Sequence, residues 1–217
     1  MTLRLNSSGG GYVEQDAPNI AGNYSLTLPT SAGSSGQYLR NTGTAGTLEF
    51  GALPDTVTRA TPVSLSGSTS TTFTGITSSC KRIQIIIQNI STNSTDQPRI
   101  NVGHDGSGGT IITSGYAGSM AFVGASSTGE SVMPTSGFAT LTSGFAGAAN
   151  TSSSIADLCN VSGNNWIYRV VTGLTSSNYV VQGVGTVDVG TTLDRVQISL
   201  SGSGTFDDGS VTILTED

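Results

Sequence analysis

The sequence predicts an all-β protein, a jelly-roll-like β-sandwich preceded by a short extended or β-stranded N-terminal segment. Three observations lead there. Of the 217 residues, 93 are Gly, Ser or Thr, about 43%, while only 10% are charged. Gly, Ser, Asn and Asp suit turns, and the Thr, Val and Ile runs between them suit strands. No stretch repeats apolar residues at helical spacing, and Ala, Glu, Lys, Leu and Arg are too sparse for a bundle or coiled coil. Disorder is excluded as well: 35% of the chain is apolar, only six residues are Pro, and charges form no runs.

Residues 1–53 read as short β segments separated by Gly/Ser/Asn turns. Leu3 and Leu5 alternate with Thr2, Arg4 and Asn6, and Tyr24, Leu26 and Leu28 alternate with Ser25 and Thr27 until Pro29 ends the run. Gln37–Arg40 and Thr47–Phe50 follow, split by a turn-rich stretch. The apolar residues here are too scattered for an independent core, so the segment needs a partner or copies of itself. Residues 54–62, bounded by Pro54 and Pro62, read as an extended connector.

Residues 63–217 read as the sandwich, with about eight strands. Ile83, Ile85 and Ile87 alternate with Arg82, Gln84 and Gln88, although Ile86 breaks the polar face. Ile100 and Val102 precede a Gly-rich loop at 104–109. Trp166, Tyr168 and Val170 share one strand face, and 179–187 is another strand whose Gly183 and Gly185 suggest a bulge or a close backbone approach. Val196, Ile198 and Leu200 alternate with polar neighbours, and Val211 and Ile213 close the chain. The stretch 114–153 gives only short strand signals, around Phe122 and Phe138–Thr142.

Catalytic chemistry finds little support. His104 is the single His, beside Asp105 in a Gly-rich loop, and adjacent extended residues point apart. Three Cys and His residues in all, widely spread, are too few for a zinc site. Asp207 and Asp208 read as a turn entering the last strand rather than a glycosidase pair, and Asp105-Gly-Ser-Gly-Gly lacks the acidic spacing of a calcium loop. Trp166 and its tyrosine neighbours share a strand face, which favours core packing over stacking on a sugar. Cys80 and Cys159 read as buried free thiols, with a disulfide between them as the alternative. No catalytic, cofactor-binding or metal-binding residue is expected, and the chain reads as non-enzymatic. A net charge of −6 disfavours nucleic acid. With no secretory signal and no apolar run near the ~20 residues of a membrane helix, the chain is expected to be made in the cytoplasm and to stay soluble.

The order of several short motifs resembles bacteriophage fibre proteins. Leu3-Arg-Leu-Asn6, Gly11-Tyr-Val-Glu14, Ala17-Pro18, Tyr24-Ser-Leu-Thr-Leu-Pro29 and Gly36-Gln-Tyr-Leu39 look like the attachment region of that family. Residues 73–85, 102–116, 193–196 and 205–214 resemble a tail-fibre tip module, whereas 117–153 does not follow the pattern. The resemblance implies a virion protein made in the host cytoplasm. It would be a short homotrimeric tail fibre whose N-terminus docks on other virion proteins through Leu3, Leu5, Tyr12, Tyr24, Leu26 and Leu28. Its tip would bind the host surface, with glycan the expected receptor. A head fibre or capsid decoration protein is the alternative, favoured by the absence of a long shaft, and a small glycan depolymerase is a more distant one.

Overall fold

The computed structural model describes residues 2–6, 12–16, 26–44, 46–52, 57–104, 109–125, 127–142, 147 and 149–217. The chain divides into two compact units, Met1–Pro54 and Asp55–Asp217. In the first, β1 (Thr2–Asn6) pairs antiparallel with β2 (Tyr12–Asp16), and β3 (Gln37–Asn41) with β4 (Leu48–Ala52). The single bridge Thr27↔Thr47 ties the stretch before β3 to the start of β4.

The second unit is a β-sandwich. Its strands are β5 (Val57–Arg59), β6 (Val63–Ser64), β7 (Ser70–Thr74), β8 (Arg82–Thr92), β9 (Pro98–His104), β10 (Thr110–Ile111) and β11 (Ala117–Gly124). After these come β12 (Thr128–Val132), β13 (Phe138–Ala139), β14 (Ser152–Ser162), β15 (Asn165–Leu174), β16 (Tyr179–Asp188), β17 (Arg195–Leu200) and β18 (Phe206–Glu216). Among the described residues they form a five-stranded sheet, β10-β9-β17-β7 with β13 also on β9, and a nine-stranded sheet, β12-β11-β16-β15-β14-β8-β18-β5 with β6 also on β18. The expected all-β class and sandwich are therefore what the chain forms.

Strict alternation builds the core. β15 and β16 bury every second residue, so Trp166, Tyr168, Val170, Val181 and Val187 point inward. Ile83, Ile85 and Ile87 of β8 and Val211 and Ile213 of β18 join the same cluster as Ile100 and Val102 of β9 and Val196 and Ile198 of β17. Each such side chain contributes about 1.5–3 kcal/mol on burial. Phe138 and Tyr168 tie the two sheets together: their rings stack at 4.4 Å, and the Tyr168 hydroxyl donates to the Ala139 carbonyl at 3.1 Å. Tyr116 meets Phe138 edge-on at 4.7 Å, accepts from the Val102 N–H and donates to the Ile112 carbonyl.

Two expectations change, and a third is decided between its two alternatives. Residues 57–59 are not connector but a strand hydrogen-bonded to β18 beside β6, because Leu214 and its neighbours offer an open ladder there. The strands outnumber the eight expected, since 114–153 contains β11, β12 and β13 and β14 begins at Ser152. Gly183 and Gly185 mark no bulge, as β16 keeps register with both neighbours; they mark close approach, for a Cβ on Gly185 would stand 2.9 Å from Phe138. The bulges lie elsewhere. Asn89 (φ 52) marks an extra residue of β8 against both β14 and β18, and Asp207 is an extra residue of β18 against β8. Asn tolerates that left-handed backbone better than most residues.

Candidate functional site

The residues singled out for chemistry land apart from one another. Trp166 and Tyr168 are core, 4% and 0% exposed, so neither offers a stacking platform. His104 ends β9, half-buried opposite Thr110, while the Asp105-Gly-Ser-Gly loop lies outside the described residues apart from Gly109. Asp207 and Asp208 are exposed at the β18 bulge, where Asp208 accepts the Gly209 N–H. Cys80 is free and buried, as expected, and burial pushes its thiol pKa up. Cys159 is free but exposed, which corrects the expected burial: its strand position points outward from the sheet. Among the described residues no three of His, Cys, Asp and Glu gather as metal ligands do.

The attachment candidates fall on the first unit. Leu3 and Leu5 sit on β1 opposite Gln15 and Val13, and Tyr12 begins β2 opposite Asn6. Leu26 and Leu28 are 53% and 62% exposed. Tyr24 lies outside the described residues. Tyr38, Leu39 and Phe50 are exposed as well, so β3 and β4 form a hairpin that shows its apolar side chains to solvent.

The more extensive surface is the outer face of the nine-stranded sheet. Antiparallel register lays its side chains in rows running from β8 to β12. One row reads Ile86, Ile155, Val171, Gln182, Ala121, Glu130. The next reads Gln84, Asp157, Arg169, Val184, Ser119, Val132, and a third reads Arg82, Cys159, Ile167, Thr186, Ala117. Beyond the first row, Val180 stands beside Val123. Val123, Val132, Ile155, Ile167, Val171, Val180 and Val184 are 40% to 83% exposed. The far side of this face, across β15, β16, β11 and β12, is a trough of about 860 Å³ lined by Glu130, Val132, Arg169, Val171, Gln182 and Val184.

A charged cluster sits in the middle of that face. Asp157 is on the outward phase yet its side chain is only 5% exposed, because Arg82 and Arg169 close over it. Arg82 Nη2 reaches Oδ1 at 2.6 Å, Arg169 Nε reaches Oδ2 at 2.9 Å, and Gln84 Nε2 donates to Oδ1 at 3.3 Å. Burial pushes the Asp157 carboxyl pKa up, but these hydrogen bonds outweigh it and hold the carboxyl below its ordinary value. The charges of the three rows sum to zero, with Arg82 and Arg169 against Asp157 and Glu130.

The outer face of the five-stranded sheet has a different character. Asn101, Gln197 and Thr72 stand side by side across β9, β17 and β7. A groove of about 330 Å³ is lined by Ser70, Arg99, Asn101, Ser136, Gln197 and Ser199. Hydrogen bonds fix its floor: Ser199 Oγ donates to Asn101 Oδ1, Asn101 Nδ2 to the Ser136 carbonyl, and Arg99 Nη1 to Ser136 Oγ.

Of the outward aliphatic residues only Ile86 was marked in the sequence, as a break in a polar face. The available signal was apolar residues on both phases of one strand: Ile86 against Ile85 and Ile87, and Ile167 and Val171 between Trp166, Tyr168 and Val170. Compared with known protein families, curated proteins and solved structures, the chain matches none.

Proposed function

We propose that this chain is a structural, non-catalytic protein of a bacteriophage particle, a short fibre. Residues 1–54 attach it to other virion proteins, and the sandwich projects to engage the host surface. The observation that carries the reading is the contrast between the two units. The sandwich has a continuous core, whereas the first unit leaves Leu26, Leu28, Tyr38, Leu39 and Phe50 between 37% and 62% exposed. A segment that shows its apolar side chains gains stability by docking them on something else. The order of motifs resembling phage fibres supplies the particle, and homotrimeric assembly comes from the same resemblance.

The strand order supports a jelly roll. Leaving out the hairpins β11–β12 and β15–β16 and the two-residue β10, and taking β5 with β6, every step except β9 to β13 crosses between sheets, so that β5, β18, β8 and β14 neighbour one another in one, and β7, β17, β9 and β13 in the other. The hydroxyl- and amide-lined groove of the five-stranded sheet suits a glycan held by hydrogen bonds rather than by aromatic stacking.

A second reading, a head fibre or capsid decoration protein, is favoured by the short passage between units: only residues 53–56 separate β4 from β5. Deleting residues 1–54 tests both. The truncated protein is expected to be absent from purified particles, and its normal incorporation would overturn the attachment role. Labelling the full chain in intact particles then separates tail from head.

A further inference from the structure

We propose that the outer face of the nine-stranded sheet is an interface with a second copy of this chain. The inference goes beyond the attachment role of residues 1–54, because it concerns another surface and stands if that role fails.

The first ground is the contrast between the two sheets. Both are cut from the same Ser/Thr/Gly-rich composition, yet only one keeps a polar outer face. The five-stranded sheet shows Ser70, Thr72 and Thr74 of β7 outward, while the nine-stranded sheet shows seven Val and Ile side chains at 40% to 83% exposure. A β-sheet open to water normally alternates apolar-in with polar-out. On the outward phase β15 and β16 place Ile167, Val171, Val180 and Val184 between Arg169, Gln182 and Thr186, where an open strand face would ordinarily be polar.

Size is the second ground. Strands about 4.8 Å apart and alternate residues about 6.8 Å apart make six strands by four rows roughly 24 by 20 Å. That is on the order of 500 Å² in projection and more as accessible surface. It is a contiguous surface that approaches the roughly 800 Å² per partner of a specific interface, rather than a scattered apolar surface.

Charge selects the occupant. The chain carries a net −6, so two copies repel over most of their surfaces. This face avoids that repulsion, because the charges of its three rows sum to zero and Asp157 is already satisfied by Arg82 and Arg169. Copies can therefore meet here without burying an unpaired carboxylate. The same neutrality removes the cationic character an anionic membrane surface would require. A copy of the same sheet brings the same twist and the same aliphatic rows, the complement that sheet-on-sheet packing needs.

Sedimentation equilibrium of the full chain at micromolar concentration is expected to give at least twice the 21.9 kDa of one chain. Val171→Glu with Val184→Glu should reduce the mass to one chain while far-UV circular dichroism is unchanged. A second measurement on the native protein needs no variant. Cys159 lies on this face between Arg82 and Ile167 and is exposed in the single chain, so a covered face should slow its reaction with a bulky maleimide at least tenfold relative to the double variant. Three outcomes overturn the proposal: a full chain of one-chain mass, an assembly that survives the double substitution with Cys159 still reactive, or a one-chain mass with Cys159 shielded. The last would mean that the chain covers this face itself.

Discussion

Phe138 lies flat on Tyr168, with ring centroids 4.4 Å apart and planes 7° from parallel, and this pair joins the two sheets at the centre of the sandwich. Neither ring is measurably exposed. Phe138→Ala removes a stacked ring and leaves a cavity walled by Tyr116 and Tyr168, and is expected to cost about 3–5 kcal/mol. Tyr168→Phe keeps the ring but leaves the Ala139 carbonyl without its hydroxyl partner, at a cost of about 1–3 kcal/mol. Urea unfolding of the full chain should rank the two in that order. Equal costs would show that the ring contact contributes no more than the hydroxyl's hydrogen bond.

Gly185 is where that pair leaves no room. It lies opposite Tyr168 in the ladder, and a Cβ there would stand 2.8 Å from the Ala117 carbonyl oxygen and 2.9 Å from the Phe138 ring. Gly185→Ala must displace the ring or the backbone, and should destabilise by about 1–3 kcal/mol. Gly173 provides the contrast, since nothing lies within 4 Å of its missing Cβ. Gly173→Ala should stay within about 0.5 kcal/mol of the parent in the same assay.

The Asp157 cluster makes stability depend on acid pH. Its carboxyl pKa is lower in the folded chain than in the unfolded one, where about 3.9 is expected. The unfolded chain therefore takes up the proton first, and the stabilisation is fully present above about pH 4. It is lost as pH falls through the folded value. Asp157→Asn should remove this dependence and cost about 1–3 kcal/mol at neutral pH, the lower part of that range being favoured because Arg82 and Arg169 are 42% and 70% exposed and can turn to water. Midpoints of thermal unfolding between pH 2 and 7 for parent and variant would converge at the acid end. Parallel curves would show that Asp157 is not the titrating group.

What was legible in the sequence followed from strict alternation. β8, β15, β17 and β18 carry Ile, Val or aromatic residues at every second position over much of their length, and their inward faces match the expected ones. β14 was illegible because its buried positions Ser152 and Ser154 are polar. Ser154 is satisfied by Thr172 at 2.7 Å, and Thr172 in turn donates to the Thr140 carbonyl. Nothing local in Ser-Ser-Ser-Ile-Ala-Asp announces partners 18 residues away. The outward aliphatic face stayed hidden for the same reason in reverse. Val171 and Val184 look like ordinary strand residues until register places them together on one surface. Asp157 drew no notice in the sequence, because only the cross-strand positions of Arg82 and Arg169 make it a buried carboxylate.

The two units are expected to differ in independence. In the second unit β5 and β6 pair with β18, so the sandwich starts at residue 57 and includes much of the stretch that reads as connector. A chain of residues 55–217 keeps the whole hydrophobic cluster, from Leu65 to Ile213, and should unfold in one cooperative urea transition with the midpoint of the full chain. Removing 63 residues instead of 54 tests the boundary. It deletes β5 and strips the Val63 rung from β6, so it exposes the β18 edge and the buried Thr212 hydroxyl loses the Ala60 carbonyl, 2.7 Å away in the intact chain. That shorter chain should be less stable by about 1–3 kcal/mol. Residues 1–54 alone have no comparable cluster among the described residues, and Leu26, Leu28, Tyr38, Leu39 and Phe50 face outward. The isolated piece should show no cooperative transition, because covering those side chains requires a surface it does not itself provide. A sharp transition for 1–54 would mean that this unit stands on its own core, and would remove the physical ground for its attachment role.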